Sequence, residues 1–269
     1  MNVENITLEI TRGCTLDCEH CFRGDSQKIN MSIQTLENIF CNIKSIDQLV
    51  ITGGEPLIAI NELEKLVELI KNHDIKIGVI NLVTNGTILS SRVLKVLKDL
   101  SELSNLNLKI SFDAFHMLEL EKKNLKEKRD NNVKVLKDIF NAKEYGDEDK
   151  VLFKKDDRLP QALQPIGRVK KLNTERLTQI NSLVVTKYVV LPFVTWNKPT
   201  SSFENNKLCG VTTIDVNGNI VGYGLSFEDE DSYAENRQTN INEFGFIGAV
   251  NNFISIEEAK TNLLPGIKK

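Results

Sequence analysis

A repeated strand–loop–helix pattern between residues 6 and 112 restricts this fold more than any other feature of the chain. Ile6–Ile10 (ITLEI) alternates apolar and polar side chains, the period of a half-buried strand. Ser32 is placed to N-cap a helix running to about Lys44, with Ile33, Leu36, Ile39 and Phe40 on one face. Gln48–Thr52 (QLVIT) reads as a second strand stopped by Gly53-Gly54, and Asn61–Asn72 as a helix with Leu63, Leu66, Val67 and Ile70 at helical spacing. Ile75–Thr84 gives a third strand ended by Asn85-Gly86, Ser91–Leu100 a third helix and Leu106–Phe112 a fourth strand. Strands that alternate with helices require right-handed crossovers and a parallel sheet.

Further on the signals thin out. The densely charged stretch 121–150 reads as a solvated helix burying Val133, Leu136 and Phe140, and Pro160 to Pro165 brackets a short extended piece. Ser182–Phe193 is β-branched enough to read as a buried strand. Thr212–Val221 alternates around Asn217-Gly218, a hairpin signal. Ser255–Asn262 reads as a short terminal helix.

At 269 residues the chain can bury one substantial core, with or without a small appendage. Its net charge of −3 gives no basic footprint for nucleic acid. No stretch reaches the ~18–20 apolar residues of a membrane span. The start lacks the basic-then-apolar order of a signal peptide, so a cytoplasmic location is expected. There thiols stay reduced, and clustered cysteines act as metal ligands or catalysts rather than disulfides.

Three of the five cysteines are clustered: Cys14, Cys18 and Cys21 form a C-x3-C-x2-C triplet directly after the first strand. Three thiolates can bind three irons of a four-iron cluster and leave the fourth iron open to another ligand. The alternative is a zinc site with His20 as fourth ligand, although His20 is adjacent to Cys21 and no second Cys/His pair lies nearby. Cys41, on the apolar helix face, and Cys209 are expected to be buried packing residues.

Other chemistry-bearing residues fall at strand ends. Gly53-Gly54-Glu55-Pro56 follows strand two; the glycines allow close backbone approach, and Glu55 with exposed carbonyls can receive an ammonium. Asn85 ends strand three. Ser111 and Asp113 alternate onto one side of strand four, ahead of His116, which either serves a substrate as proton donor or acceptor or caps the next helix. Arg168, after Gly167, is either an anion-binding residue or a surface arginine. Barrel and open-sheet α/β enzymes place their chemistry at these C-terminal strand ends.

The sequence TRGCTLDCEHCFRGD resembles the signature of the radical S-adenosylmethionine superfamily, and GGEP, TNG and the Ser111–Asp113 pair resemble its further motifs in the family's order. The resemblance covers residues 5 to about 195 well. It implies an α/β fold, a partial (β/α)6 barrel open on one side over residues 1–198. It also implies a [4Fe-4S] cluster on Cys14, Cys18 and Cys21, whose free iron is chelated by S-adenosyl-L-methionine. By the same resemblance His20 lies against the adenine, Gly53, Gly54, Glu55 and Pro56 hold the methionine amino group, and Asn85 belongs to the cofactor site. Ser111 and Asp113 would bond the ribose hydroxyls, and Arg168 the carboxylate. His116 is the candidate catalytic residue. An electron donor such as flavodoxin or ferredoxin is implied.

Residues 199–269 resemble a degenerate SPASM or twitch extension, expected to cover the substrate side of the barrel with its hairpin. Tyr223 and Gly224 stand where its next cysteine would be, and one thiol cannot hold an auxiliary cluster. The acidic run Phe227–Asp231 is either a cation receiver or a solvated loop. No leader-peptide-binding domain is expected ahead of strand one. The expected function is reductive cleavage of S-adenosylmethionine followed by hydrogen abstraction from a peptide. Modification of a nucleoside or small metabolite is the alternative, and a non-catalytic zinc- or iron–sulfur-binding module is the alternative of another class.

Overall fold

The computed structural model describes residues 1–21, 23–146, 161–163, 167–183, 188–190, 201–205, 207–221 and 239–263. The strands β1 (Asn2–Thr11), β2 (Ser45–Gly53), β3 (Lys76–Thr84), β4 (Asn105–Phe112) and β5 (Lys143–Gly146) pair in parallel in that order. Helices α1 (Ile33–Phe40), α2 (Ile60–Asn72) and α3 (Ser91–Leu103) supply the crossovers, and α4 (Ala114–Lys122) with α5 (Lys126–Phe140) joins β4 to β5. The α/β class expected from the alternation is the class observed, and the sheet is not closed among the described residues.

Strand register divides the sheet into two unlike faces. Leu8, Ile51, Leu82 and Leu108 stand in one row across β1–β4, with Ile214 beyond Leu8. All five are buried in the core beneath the helices. Burying each such side chain contributes roughly 1.5–3 kcal/mol. One residue earlier the row reads Thr213, Thr7, Val50, Asn81 and Asn107, pointing to the other face. That face carries polar groups that bond each other, as Asn107 Nδ2 does to Asn81 Oδ1 at 3.4 Å. The helices cover the apolar face, which leaves the polar face as the inner one.

Helix boundaries follow local chemistry. Ser32 caps α1 by accepting from Thr35 N at 3.0 Å. The helix stops at Phe40, short of Lys44, because the Lys44 N–H already donates to Met1 O at 2.7 Å, laying the chain beside β1. Two expectations fail there. Cys41 follows the last helical residue and is exposed rather than core, and Ile33, in the first turn, is 40% exposed. Val133 and Leu136 of α5 are buried as expected, while Phe140 is only partly so.

The later segments depart further from expectation. Ser182 belongs to α6 (Thr174–Leu183), not to a strand; of the expected strand, Tyr188–Val190 is β7, paired in parallel with β6 (Gln161–Leu163) in a separate two-stranded sheet. The hairpin is present, with β9 (Lys207–Ile214) antiparallel to both β8 (Ser201–Glu204) and β10 (Ile220–Val221). Gly218 at its turn has φ +84°, the region that favours glycine. β9 also pairs in parallel with β1, so the hairpin extends the main sheet at the β1 edge. Cys209, on β9, is half-buried rather than buried. The terminal helix is longer than expected, α7 (Ile241–Leu263), broken at Gly245, and fastened to α1 by Asn242 Nδ2 on Thr35 Oγ1 at 3.0 Å. Tyr223, Gly224 and Phe227–Asp231 lie outside the described residues. Among the described residues no helix is long and apolar enough to cross a membrane.

Candidate metal and cofactor site

The chain leaves β1 at Thr11 and returns beside it, closing a loop that holds all three clustered cysteines. Backbone bonds fasten its base: Arg12 N to Ile29 O at 2.9 Å, Gln27 N to Arg12 O at 3.0 Å and Met31 N to Ile10 O at 2.9 Å. Inside it, Cys21 N donates to Cys18 O at 3.1 Å and Gly24 N to Cys21 O at 3.3 Å, so two tight turns fold the thiols inward. Cys18 is buried, and Cys14 and Cys21 are half-buried. Burial pushes the Cys14 thiol up to about 11, with the Glu55 and Cys21 charges adding to it. Cys18 is also raised, first by burial and then by the charges of Asp113, Cys14 and Cys21. Cys21 is raised by burial. Three free thiols presented from one loop are the soft sulfur donor set that an iron–sulfur cluster takes.

The glycines after β2 lie against this loop. Gly54 N donates to Thr11 O at 2.8 Å and Glu55 N to Gly13 O at 2.7 Å. Gly53 has φ +151°, and a Cβ on Gly54 would stand 2.2 Å from Gly13 O. Glu55 is fully buried. Its Oε1 accepts from Leu57 N at 3.0 Å and Thr84 Oγ1 at 2.8 Å, and its Oε2 from Asn85 N at 2.7 Å. A carboxylate offers about four acceptor positions. Two tie the end of β2 to the end of β3, one holds the local turn at Leu57, and one on Oε2 remains. Burial raises the Glu55 carboxyl, while these donors oppose the rise. Pro56 starts a short 3-10 turn behind it. The Asn85 side chain reaches the cysteine loop, donating to Thr15 Oγ1 at 3.0 Å, with Cys14 Sγ at 3.7 Å.

Asp113, rather than His116, caps α4, accepting from His116 N at 3.0 Å through Oδ1. Its Oδ2 lies 2.6 Å from His116 Nδ1 and 3.3 Å from His20 Nε2. Burial works against the Asp113 charge, but the two histidines outweigh it and hold the carboxyl well below its usual range. His20 stacks on Phe115 at 4.4 Å and 7° and meets His116 edge-on at 5.1 Å. Ser111 is half-exposed at the end of β4, and its carbonyl accepts from Arg129 at 3.3 Å. Cys18, His20, Asp113 and His116 thus converge from the loop and from α4.

Arg168 supports the loop from outside. Its Nε donates to Asp25 at 2.7 Å, and its other nitrogens to Asp17 at 3.3 Å and to Cys18 O at 3.4 Å. Lys123 pairs with Asp17 from the opposite side. These partners engage the Arg168 guanidinium with the loop itself.

Sequence reasoning missed a buried charge cluster at the base of the loop. Glu9 on β1 lies 3.6 Å from Arg12 and 3.5 Å from Arg23, and accepts from Val216 N at 3.2 Å. Arg12 also lies 3.5 Å from Asp215 of the hairpin. All four residues are buried. Glu9 falls on a polar position of an alternating strand, which marks a solvent-facing residue, and Arg23 and Asp215 come from segments distant in sequence.

A family model described as the Radical SAM superfamily matches residues 8–148. The uncharacterized protein MJ0907 of Methanocaldococcus jannaschii is 22% identical over 148 residues, 54% of this chain and 50% of that protein. MJ0804 of the same organism is 30% identical over 96 residues, 35% of this chain and 30% of that protein. The chain therefore spans half or less of these curated relatives. Native anSMEcpe with bound AdoMet and Cp18Cys peptide is similar with a TM-score of 0.56 at 16% identity, covering 98% of this chain and 85% of that one. The same protein with a Kp18Cys peptide gives 0.55 at 16% identity, covering 96% and 84%. These structures share the fold. The family match begins in β1, runs through the cysteine loop and all of β2–β4, and places this chain in the radical SAM superfamily.

Proposed function

We propose that this chain is a radical SAM enzyme in which Cys14, Cys18 and Cys21 hold a [4Fe-4S] cluster and the surrounding strand ends hold S-adenosylmethionine. The observation that carries the reading is the convergence of three buried or half-buried thiols with Glu55, Asn85 and Asp113 at the C-terminal ends of β1–β4. When bound, these cofactors supply a 5′-deoxyadenosyl radical that takes hydrogen from a substrate, given one electron from a donor such as flavodoxin or ferredoxin. The chain's own residues bind and orient. Glu55 locks the β2 and β3 ends together, and its remaining Oε2 position would accept from the methionine ammonium. The stacked ring of His20 offers a flat apolar surface for adenine, and Ser111 with Asp113 lies in reach of ribose.

A peptide is the proposed substrate class, supported by the shared fold of a protein solved with a peptide bound. The division into a barrel over 1–198 and an extension over 199–269 belongs to the same proposal. Cys209 is the one cysteine within residues 199–269, and one thiol cannot hold an auxiliary cluster. Anaerobic reconstitution tests the reading. Brown protein with about four irons and four sulfides, forming 5′-deoxyadenosine under dithionite, is expected. Cys18→Ala abolishes cleavage, while Cys209→Ala stays active. One tightly held zinc with no iron uptake and no such product refutes it. Conversion of a short precursor peptide encoded beside the gene tests the substrate class by mass shift.

A further inference from the structure

We propose that the chain, when it carries no cluster, holds one zinc ion between Cys18, His20 and His116. A sulfur of Cys18 and one nitrogen from each histidine lie within 4.8 Å of one another, a set that tetrahedral zinc accepts with water in the fourth position. The set differs from the three-cysteine arrangement suggested by the sequence, because it takes one residue from α4 and only one thiol from the triplet. Asp113 decides which nitrogens are free. Its Oδ2 faces His116 Nδ1 at 2.6 Å and His20 Nε2 at 3.3 Å, so His20 Nδ1 and His116 Nε2 are left to a metal. A carboxylate behind each ligating imidazole is the usual outer shell of zinc sites.

A second observation is independent of that convergence. His20 Nδ1 is buried and has no hydrogen-bond partner. A buried acceptor without a donor is costly, and a bound cation would satisfy it. The site is stiff on both sides: His20 is stacked on Phe115, and His116 sits in the first turn of a helix whose cap is Asp113 itself. Zinc binding displaces the thiol proton of Cys18 and leaves both imidazoles neutral, with no change in oxidation state. Zinc at this site engages the Cys18 thiolate that the cluster also needs, so zinc competes with cluster assembly.

The test titrates the full-length, cluster-free chain anaerobically with Zn2+, and with Co2+ as a spectroscopic probe. One equivalent is expected, with tetrahedral cobalt bands and the charge-transfer intensity of a single thiolate. Cys14→Ala keeps this binding although it removes a proposed cluster ligand. His116→Ala abolishes tight binding, and Asp113→Asn weakens it by about 10–100-fold. Far-ultraviolet circular dichroism checks that each variant is folded, and zinc preloading slows iron incorporation. Loss of tight zinc in Cys14→Ala, wild-type affinity in His116→Ala, or no stoichiometric zinc in the wild type each overturns the proposal. Iron and sulfide uptake is read separately. Normal cluster assembly without zinc binding refutes only this inference, and zinc binding without cluster assembly refutes only the enzymatic reading.

Discussion

Replacing Gly54 by alanine tests the junction between β2 and the cysteine loop. The new Cβ would lie 2.2 Å from Gly13 O and 2.7 Å from Gly13 C, where ordinary contacts begin at 3.4 Å. The obstacle is backbone, so no rotamer relieves it, and the two segments must part by more than an ångström. That movement breaks the Gly54 N to Thr11 O bond of 2.8 Å and the Glu55 N to Gly13 O bond of 2.7 Å. Each buried donor left unsatisfied costs about 1–3 kcal/mol, giving roughly 2–6 kcal/mol for the two. For a chain of this size that lowers Tm by roughly 5–15 °C. The assay is thermal unfolding of the metal-free chain, with iron content after reconstitution as a second readout. Gly13→Ala is the control. Its Cβ meets Thr11 Oγ1 at 3.2 Å, only a few tenths of an ångström inside ordinary contact, so the loss stays near about 1 kcal/mol. A Gly54→Ala protein with wild-type Tm and iron content would refute the close-approach argument.

Three other substitutions probe the same architecture. Glu55→Gln turns an NH2 group toward Asn85 N or Leu57 N whichever way the amide lies, so urea unfolding should show a loss of about 2–3 kcal/mol; an unchanged midpoint would deny Glu55 its tether role. Burial pushes the Glu9 carboxyl up to about 7, against Arg23 and Arg12. The folded chain therefore binds a proton between about pH 4.5 and 7 that the unfolded chain lacks, and stability falls as pH rises through that window. Glu9→Gln should flatten the fall, and parallel wild-type and variant profiles would contradict it. Arg168→Ala removes bonds to Asp17, Asp25 and Cys18 O and should speed loss of iron during gel filtration severalfold. Arg92→Ala, which breaks an exposed pair with Glu64, should not; equal iron loss in the two variants would argue against loop support by Arg168.

The alternation of strands and helices from β1 to β4 and the cysteine loop were legible because their signals are local. Alternation in Ile6–Ile10 and Leu106–Phe112, the Ser32 cap and the triplet spacing all act within a few residues of chain. Helix ends were less legible: Lys44 is pulled from α1 by Met1, a partner no neighbouring residue announces. Cys41 was misplaced for that reason, since its side depended on where the helix stopped. Ser182 and Leu183 were read as strand because β-branched composition downstream outweighed a weak helical pattern.

The sequence by itself determined the donor types, their order and their placement at strand ends, since strand period and glycine turns leave a residue at a strand's end little choice of position. Only the tertiary structure decided which donors meet. It engaged Glu55 between Leu57, Thr84 and Asn85, turned Arg168 onto the loop's own acids, and set Asp113 between His20 and His116. It also brought Asp215 of the hairpin to Arg12 by pairing β9 with β1. Most of those contacts join residues far apart in the chain, and their energies come from burial and charge that exist only once the sheet has formed.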